Sequence, residues 1–288
     1  MEPPAPSLLR GVALMVGAGA SFAVLDSVAK TLAATYPSPM VAWARYLFHV
    51  LVMLVVLAPG HGRRLLKTRR ADLQLLRGIC LGTSSLCFFA AISHMPQAEA
   101  TSIVAVAPIL IALAAVRWLG EKAPPGTGVS LVLSFVGVML IVRPGSALFG
   151  WAAVLPLATA MFVTGYQLLT RRLNGVDDSV STLFIGAVVV TVLLTAIMPW
   201  YWVAPRSWFD MMLFVATGAI GAGGHWLLVR AYAHASAAAL APYGYAHVVM
   251  SLPMGYLVFG NFPDRVALAG MAIVVATGVW MATRPRAL

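Results

Sequence analysis

Charged side chains are rare within the long apolar stretches of this chain, so their positions are informative. Asp26 and Lys30 lie four residues apart in the first stretch, which places them on one face of a helix. Arg45 lies in the second stretch. An ionised group in an apolar helix is energetically unfavourable, so each is a candidate functional group. Asp26 either pairs with Lys30 or serves a substrate or a proton, and Arg45 either pairs with Asp26 or reaches towards lipid headgroups.

Polar and aromatic side chains in several other stretches form a second group of candidates. An aromatic cavity with a few polar groups is the usual composition of a small-molecule site. We predict that the walls of such a site are Phe22, Phe88, His225, Trp226, Tyr243 and Tyr245. We predict that its hydrogen-bonding groups are Asp26, Ser85, Thr101 and Gln167. Asp26 and His225 are also our candidates for proton coupling, because histidine titrates near neutral pH and carboxylates in membranes commonly relay protons.

These residues do not form a recognisable catalytic or metal-binding set. The sequence has no His-Glu-x-x-His motif, no phosphate-binding glycine loop and no nucleophile motif. A haem held between His225 and His247 has no support in their spacing. We therefore predict no cofactor, no bound metal and no enzymatic activity.

The composition indicates the surroundings in which these groups act. Of the 288 residues, 61% are hydrophobic and 10% are charged, whereas soluble domains have about 25% charged residues. Apolar runs of membrane-spanning length recur along the chain, as in helical multi-pass membrane proteins. Basic loops on one side of a bilayer explain the net charge of +10. The expected partner is therefore the lipid bilayer and not a nucleic acid.

Ten transmembrane helices are predicted from the apolar runs and the proline and glycine residues between them. They span 8–34, 39–58, 72–93, 97–118, 125–142, 150–171, 179–198, 208–232, 236–259 and 264–283. Basic residues concentrate in the loop after the second helix, which contains Arg63, Arg64, Lys67, Arg69 and Arg70. Because such loops stay in the cytoplasm, both termini are predicted to be cytoplasmic, in a bacterial inner membrane.

The second half of the chain echoes the first at an offset of 140 residues. The matched pairs are Phe22 and Phe162, Pro59 and Pro199, Gly78 and Gly218, His94 and His234, and Gly120 and Gly260. Five helices per half is an odd number, so the second repeat, 145–288, is predicted to be inverted relative to the first, 1–144. Transporters built from inverted repeats bind substrate between the halves, near the middle of the membrane. Pro108, Gly223 and Gly224 are our predicted flexible points.

The turn between the third and fourth predicted helices carries a distinctive run from Phe88 to Thr101, followed by Pro108 and by the Gly120-Glu121 step. This pattern resembles the drug/metabolite transporter superfamily, in particular its EamA-type ten-helix exporters, some of which export amino acids. The second half resembles the same module but has Asn261 in place of the glutamate. The resemblance implies a two-fold pseudo-symmetric basket. In it the predicted helices 1, 3, 4, 6, 8 and 9 line a central cavity, and the others are peripheral.

Taken together, these patterns predict an all-α, monomeric secondary transporter that exports small metabolites by alternating access. Amino acids, including aromatic and apolar ones, are the favoured substrates. Alternatives within the same class are exporters of other metabolites or drugs. A membrane-embedded enzyme and a channel are alternatives from other classes.

Overall fold

The computed structural model describes residues 8–94, 97–123, 125–142, 153–260 and 265–283. Helices dominate this part of the chain. In chain order they are α1 (Leu8–Ala33), α2 (Ser38–His61), α3 (Ala71–His94), α4 (Gln97–Val104), α5 (Ala107–Leu119), α6 (Thr127–Val142), α7 (Val154–Leu173), α8 (Ser179–Thr195), α9 (Met198–Tyr201), α10 (Trp208–His234), α11 (Ala237–Leu240), α12 (Ala246–Phe259) and α13 (Arg265–Thr283). Short 3₁₀ turns cover Gly62–Leu66 and Ala241–Tyr245.

Four of the described helices are long and apolar enough to cross a bilayer. These are α1, α2 over Ser38–Leu57, α3 and α10. Shorter apolar helical stretches cover Ala107–Leu119, Thr127–Leu140, Ser179–Thr195 and Leu268–Trp280. Large apolar side chains such as Val55, Leu257 and Trp200 are exposed on the outside of the bundle, as a lipid-facing surface requires.

Two of the predicted helices are broken rather than continuous. The predicted 97–118 helix divides into α4 and α5 just before Pro108, and the predicted 236–259 helix divides into α11, a 3₁₀ turn that contains Pro242, and α12. Proline lacks an N–H donor and its ring clashes with the preceding turn, so it ends or kinks a helix. The predicted start at 150, the boundary at 144–145 and Asn261 lie outside the described residues. The ten-span count and the inverted repeat stay predictions.

Helix packing recurs at the 140-residue offset. α1 packs against α10 and α12, and α7, which follows at that offset, packs against α3 and α5. A Cβ added at Gly78 would lie 2.7 Å from the Val189 Cβ, and one added at Gly218 would lie 2.6 Å from the His49 backbone nitrogen. These close approaches require glycine. Gly120 and Gly260 end α5 and α12 with positive φ angles of 65° and 73°.

A polar cluster joins the loop before α3 to the loop before α8. Thr68 and Gln74 donate side-chain hydrogen bonds to the Asp177 carboxylate, and the Arg69 backbone N–H donates one at 2.7 Å. Burial acts to raise the pKa of Asp177, but these hydrogen bonds outweigh burial and hold the pKa below its usual value. The carboxylate therefore binds the two loops together in its ionised form.

Candidate functional site

A cavity of about 180 Å³ lies inside the bundle. Its lining residues come from α1, α3, α4, α5, α7, α10 and the α11–α12 segment, and from Arg45 of α2. The cavity is thus surrounded by helices from both halves of the chain. Arg45 is the contribution of a helix that the family resemblance makes peripheral.

The structure brings most of the predicted site residues to this cavity. Those that line it are Phe22, Asp26, Ser85, Phe88, Thr101, Pro108, Gln167, His225 and Tyr245. Trp226 does not line it, because its side chain is 43% exposed and its ring lies beside Arg230 on the outer face of α10. Tyr243 is buried and its ring lies near Gly278 of α13.

The two predicted flexible glycines lie outside the cavity lining and have different surroundings. A Cβ at Gly223 would have no neighbour within 4 Å, so nothing in the described structure requires a glycine there. A Cβ at Gly224 would lie 2.8 Å from the Phe22 ring. Gly224 therefore lets Phe22 pack closely against α10.

Asp26 pairs with His247 across the contact between α1 and α12. The distance from the His247 Nε2 to the Asp26 Oδ2 is 2.8 Å, and the Asp26 side chain is almost fully buried. The two helices approach closely here, since a Cβ at Gly19 would lie 2.8 Å from the His247 backbone nitrogen. Lys30, the alternative partner at sequence level, instead lies 5.1 Å from the ring centre of Phe259.

Arg45 points into the protein rather than towards lipid headgroups, and its contacts are with neutral groups. Arg45 is only 6% exposed. Its Nη2 donates a hydrogen bond to the His225 Nε2 at 2.9 Å, and its Nη1 lies 3.4 Å from the Ser85 Oγ. The guanidinium lies 5.0 Å from the ring centre of Tyr46 and 5.9 Å from that of Phe89. Both sequence-based interpretations of Arg45 are therefore wrong for this conformation.

The hydrogen bonds continue from Arg45 to a second buried arginine. The His225 Nδ1 lies 2.9 Å from the Tyr166 hydroxyl, which also accepts a bond from Arg77 at 3.2 Å. A guanidinium donates but never accepts, so the His225 Nε2 is the acceptor and its Nδ1 carries the proton. Each hydrogen bond in the row from Arg45 through His225 and Tyr166 to Arg77 thus has one donor and one acceptor, with His225 in a single neutral form.

Arg77 itself is fully buried away from the cavity, between α3, α7 and α8. It donates to the Thr170 hydroxyl at 2.7 Å and to the Thr182 carbonyl at 2.9 Å. Its guanidinium also lies 4.7 Å from the ring centre of Tyr166. These contacts fix Tyr166, and through it His225.

Aromatic rings close the cavity around these polar groups. The Phe22 ring lies 4.9 Å from the His225 ring and 6.3 Å from the His247 ring, measured between centres. The Ser85 hydroxyl lies 2.7 Å from the Tyr46 hydroxyl. Gln167 accepts a hydrogen bond from Tyr232. Several polar groups are therefore already fixed in position before any ligand binds.

Neither metal chemistry nor a catalytic centre is suggested by this arrangement. Within the described ranges, no group of three or more His, Cys, Asp or Glu side chains could hold a metal ion. The cavity instead combines one cation, one carboxylate and aromatic walls. Such a site can bind and orient a small charged molecule.

Sequence reasoning missed Arg45 as a cavity group and did not single out Arg77 or Tyr166 as parts of one network. Arg77 lies about two turns into α3, in the direction of the basic loop, and thus resembles a residue near the membrane surface. The signal that was available is the spacing of Gln74 and Arg77, which puts two large polar side chains on one face of an otherwise apolar helix.

Fold and site together define a multi-pass membrane protein with a mostly apolar internal cavity that contains a few polar and charged groups, the architecture of a small-molecule transporter. Residues 9–143 match the EamA-like transporter family. This match, over just under half of the chain, supports a place in the drug/metabolite transporter superfamily.

Three relatives with similar sequences are transporters by name. A pseudopaline exporter of Pseudomonas aeruginosa (strain UCBPP-PA14) is 28% identical over 269 residues, which cover 93% of this chain and 94% of the relative. A riboflavin transporter of Vibrio cholerae is 28% identical, with 93% and 91% covered. An S-adenosylmethionine uptake transporter of Rickettsia conorii is 25% identical, with 95% and 92% covered. These names agree with the prediction of a transporter rather than an enzyme.

A solved crystal structure shares the fold. It has a TM-score of 0.75 to this chain at 18% sequence identity, and the match covers 94% of this chain and 96% of the other. At that identity the likeness concerns the fold alone.

Proposed function

We propose that this protein is a secondary transporter that exports small metabolites, and amino acids in particular, across a bacterial inner membrane by alternating access. The observation that carries the proposal is the internal cavity, which helices of both halves line and which contains buried charged groups. A buried cation and carboxylate beside an open space favour a binding role, since ionised groups inside a membrane are costly and commonly mark a substrate or ion pathway.

The recurrent packing supports two inverted repeats, 1–144 and 145–288, with ten spans. The α1–α10 contact has its counterpart in the α7–α3 contact at the same offset, and α2–α8 and α6–α13 pair each helix with its own counterpart. In an inverted repeat, the α1–α10 and α7–α3 contacts exchange their arrangements when the cavity opens to the other side of the membrane. Alternating access is then a rocking of one repeat against the other.

The size of the cavity favours a small substrate. An engineered cavity of about 150 Å³ holds a benzene molecule, and this cavity is about 180 Å³. Space of that size suits one amino acid better than a ligand as large as riboflavin or S-adenosylmethionine. Since the relatives differ in both cargo and direction of transport, we expect the cavity residues to decide the cargo.

Orientation and oligomeric state complete the proposal. The basic loop before α3 and the arginines at the end of α7 favour cytoplasmic termini, because basic loops stay inside. Export is favoured by the family resemblance, and the pseudopaline exporter is consistent with it. We propose a monomer as the transport unit, because helices of a single chain surround the cavity.

A transport assay tests this proposal directly. Purified protein in liposomes loaded with each radiolabelled amino acid should release at least one of them faster than protein-free liposomes, with a rate that saturates with substrate. No release of any amino acid would refute the amino-acid version. Release of riboflavin or S-adenosylmethionine instead would leave a metabolite transporter with another cargo, and a rate that never saturates would indicate a channel.

Two substitutions on α5 give a matched control for the location of the site. Ile111 lines the cavity and is 3% exposed, whereas Leu113, two residues away, is 64% exposed on the outer surface. Ile111→Trp should fill the cavity and abolish release, and Leu113→Trp should retain it. Equal transport by both variants, each checked for monodispersity, would place the substrate path elsewhere.

A further inference from the structure

We propose that Arg45 binds the carboxylate of the substrate and that Asp26 faces its amino group, so that the cavity selects small zwitterions. This inference rests on the proposed transport function, and it names the group that determines the class of substrate. Both side chains line the same cavity.

Arg45 has fewer partners than its chemistry requires. A guanidinium has five N–H donors, whereas the structure gives Arg45 two hydrogen bonds, and its buried Nε has no partner among the described residues. The Nε lies towards Gly221. Each terminal nitrogen of a guanidinium carries two N–H groups, so Nη1 and Nη2 each keep one donor beyond the bonds to Ser85 and His225. A buried donor without an acceptor is unfavourable, and more so when the group is charged.

The charge of Arg45 also lacks a counterion within the described part of the chain. Its partners His225 and Ser85 are neutral, and Arg77 at the far end of the same row is a second cation. The carboxylate that lines the cavity, Asp26, is already paired with His247. A buried cation without a paired anion is strongly unfavourable. An anionic group of the bound substrate would supply the missing charge.

The position of the guanidinium is fixed in advance, as an anchor must be. The rings of Tyr46 and Phe89 lie beside it, and the His225 and Ser85 bonds hold two of its nitrogens. A fixed, planar guanidinium binds a carboxylate through two parallel hydrogen bonds. A purely structural role for Arg45 explains the site less well, because other groups already hold its two partners. His225 also bonds to Tyr166, and Ser85 also bonds to Tyr46.

Asp26 supplies the opposite pole of the same site. One of its oxygens accepts from His247 at 2.8 Å, which leaves the other available to a substrate ammonium group. The Tyr245 hydroxyl, which belongs to a cavity-lining residue and has no hydrogen-bond partner in the described structure, offers a neutral third contact. A cation and a carboxylate on one cavity suit a ligand that carries both charges.

Thermal shift in lipid nanodiscs, with paired probes, tests the anchor. The probes are the L-amino acids, the matching amino-acid amides, which lack the carboxylate, and O-phosphoethanolamine, which carries a phosphate. We expect one or more amino acids to stabilise the wild type and their amides to bind roughly 10- to 100-fold more weakly, as expected for a lost charged hydrogen bond.

Variants separate an anchor from a structural residue. Arg45→Gln should lose the preference for acid over amide. Arg45→Lys should recover only part of it, because an ammonium lacks the two parallel N–H donors of a planar guanidinium. Arg171→Gln is the matched control, since Arg171 pairs with Glu121 and does not line the cavity. It should lower the melting temperature and leave the acid-to-amide preference intact.

Four outcomes would overturn the anchor: no binding of any acid, equal binding of acids and amides, an unchanged preference in Arg45→Gln, or tight binding of O-phosphoethanolamine in place of the amino acids. If the liposome assay still shows saturable release of a metabolite, the transporter proposal stands without the anchor. If that assay shows no release of any amino acid, the amino-acid version of the proposed function fails together with the anchor.

Discussion

The close contact between α10 and α2 at Gly218 allows a quantitative prediction about stability. A Cβ added at Gly218 would lie 2.6 Å from both the His49 backbone nitrogen and the Phe48 carbonyl carbon. These are backbone atoms and cannot turn away as a flexible side chain does. In Gly218→Ala the two helices must therefore separate by about 0.8 Å or more to reach an ordinary contact of 3.4 Å, because the Phe48 Cβ lies closer still.

Two opposing effects determine the size of the change. Overpacking of a well-packed contact destabilises by about 1–3 kcal/mol, while replacement of glycine by alanine within a helix stabilises by about 1 kcal/mol. The destabilisation by the clash should exceed the gain in helix propensity, because the extensive contact with α10 holds the α2 backbone in place. We expect Gly218→Ala to be less stable than the wild type by up to about 2 kcal/mol, as the difference of these two effects.

Gly223→Ala, five residues further along α10, is the matched control. A Cβ there meets nothing within 4 Å, so only the gain in helix propensity remains and the variant should be as stable as the wild type or more so. Melting temperatures in one detergent, read by fluorescence-detected size exclusion, measure both. If Gly218→Ala melts at or above Gly223→Ala, the packing reasoning is refuted.

Three further predictions concern charge and the cavity walls. The pKa of Asp177 is held low, so its stabilisation is complete above the usual value of about 4 and is lost as pH falls below it. The melting-temperature difference between the wild type and Asp177→Asn should therefore shrink at acidic pH, and a constant difference would contradict this assignment. Phe22→Ala should weaken transport about tenfold through loss of aromatic packing in the cavity, whereas Trp226→Ala should transport as the wild type does. Equal effects of the two changes would contradict the placement of Phe22 in the cavity and of Trp226 outside it. Asp26→Asn retains a hydrogen-bonding group towards His247 but removes the charge, and should flatten the pH profile of transport; an unchanged profile would exclude Asp26 as the coupling group.

Helix positions were largely predictable because they depend on local signals. The starts of the predicted helices at 8, 39, 72, 179 and 208 differ from those of α1, α2, α3, α8 and α10 by at most one residue. The breaks near Pro108 and Pro242 follow from the geometry of proline. Apolar run length and turn residues contain this information without any knowledge of tertiary contacts.

Side-chain direction was harder to predict, because it depends on which neighbour each helix meets. Trp226 directly follows His225, yet His225 is buried and Trp226 is 43% exposed, and a helix without a marked apolar face does not reveal which side is inward. Arg45 was misjudged for a related reason. Its partners His225 and Ser85 lie on α10 and α3, so no local pattern in α2 indicates the bonds that bring it inside.

The hydrogen-bonded row through His225 and Tyr166 begins and ends on an arginine, and a guanidinium neither accepts nor gives up a proton at physiological pH. The row therefore cannot carry a proton from one of its ends to the other. It serves instead as a polar link that joins α2, α10, α7 and α3. Any proton gradient that drives transport is then expected to act through the Asp26–His247 pair, which is not part of the row. The Phe22 ring lies between the two systems, because it is near both the His247 ring and the His225 ring.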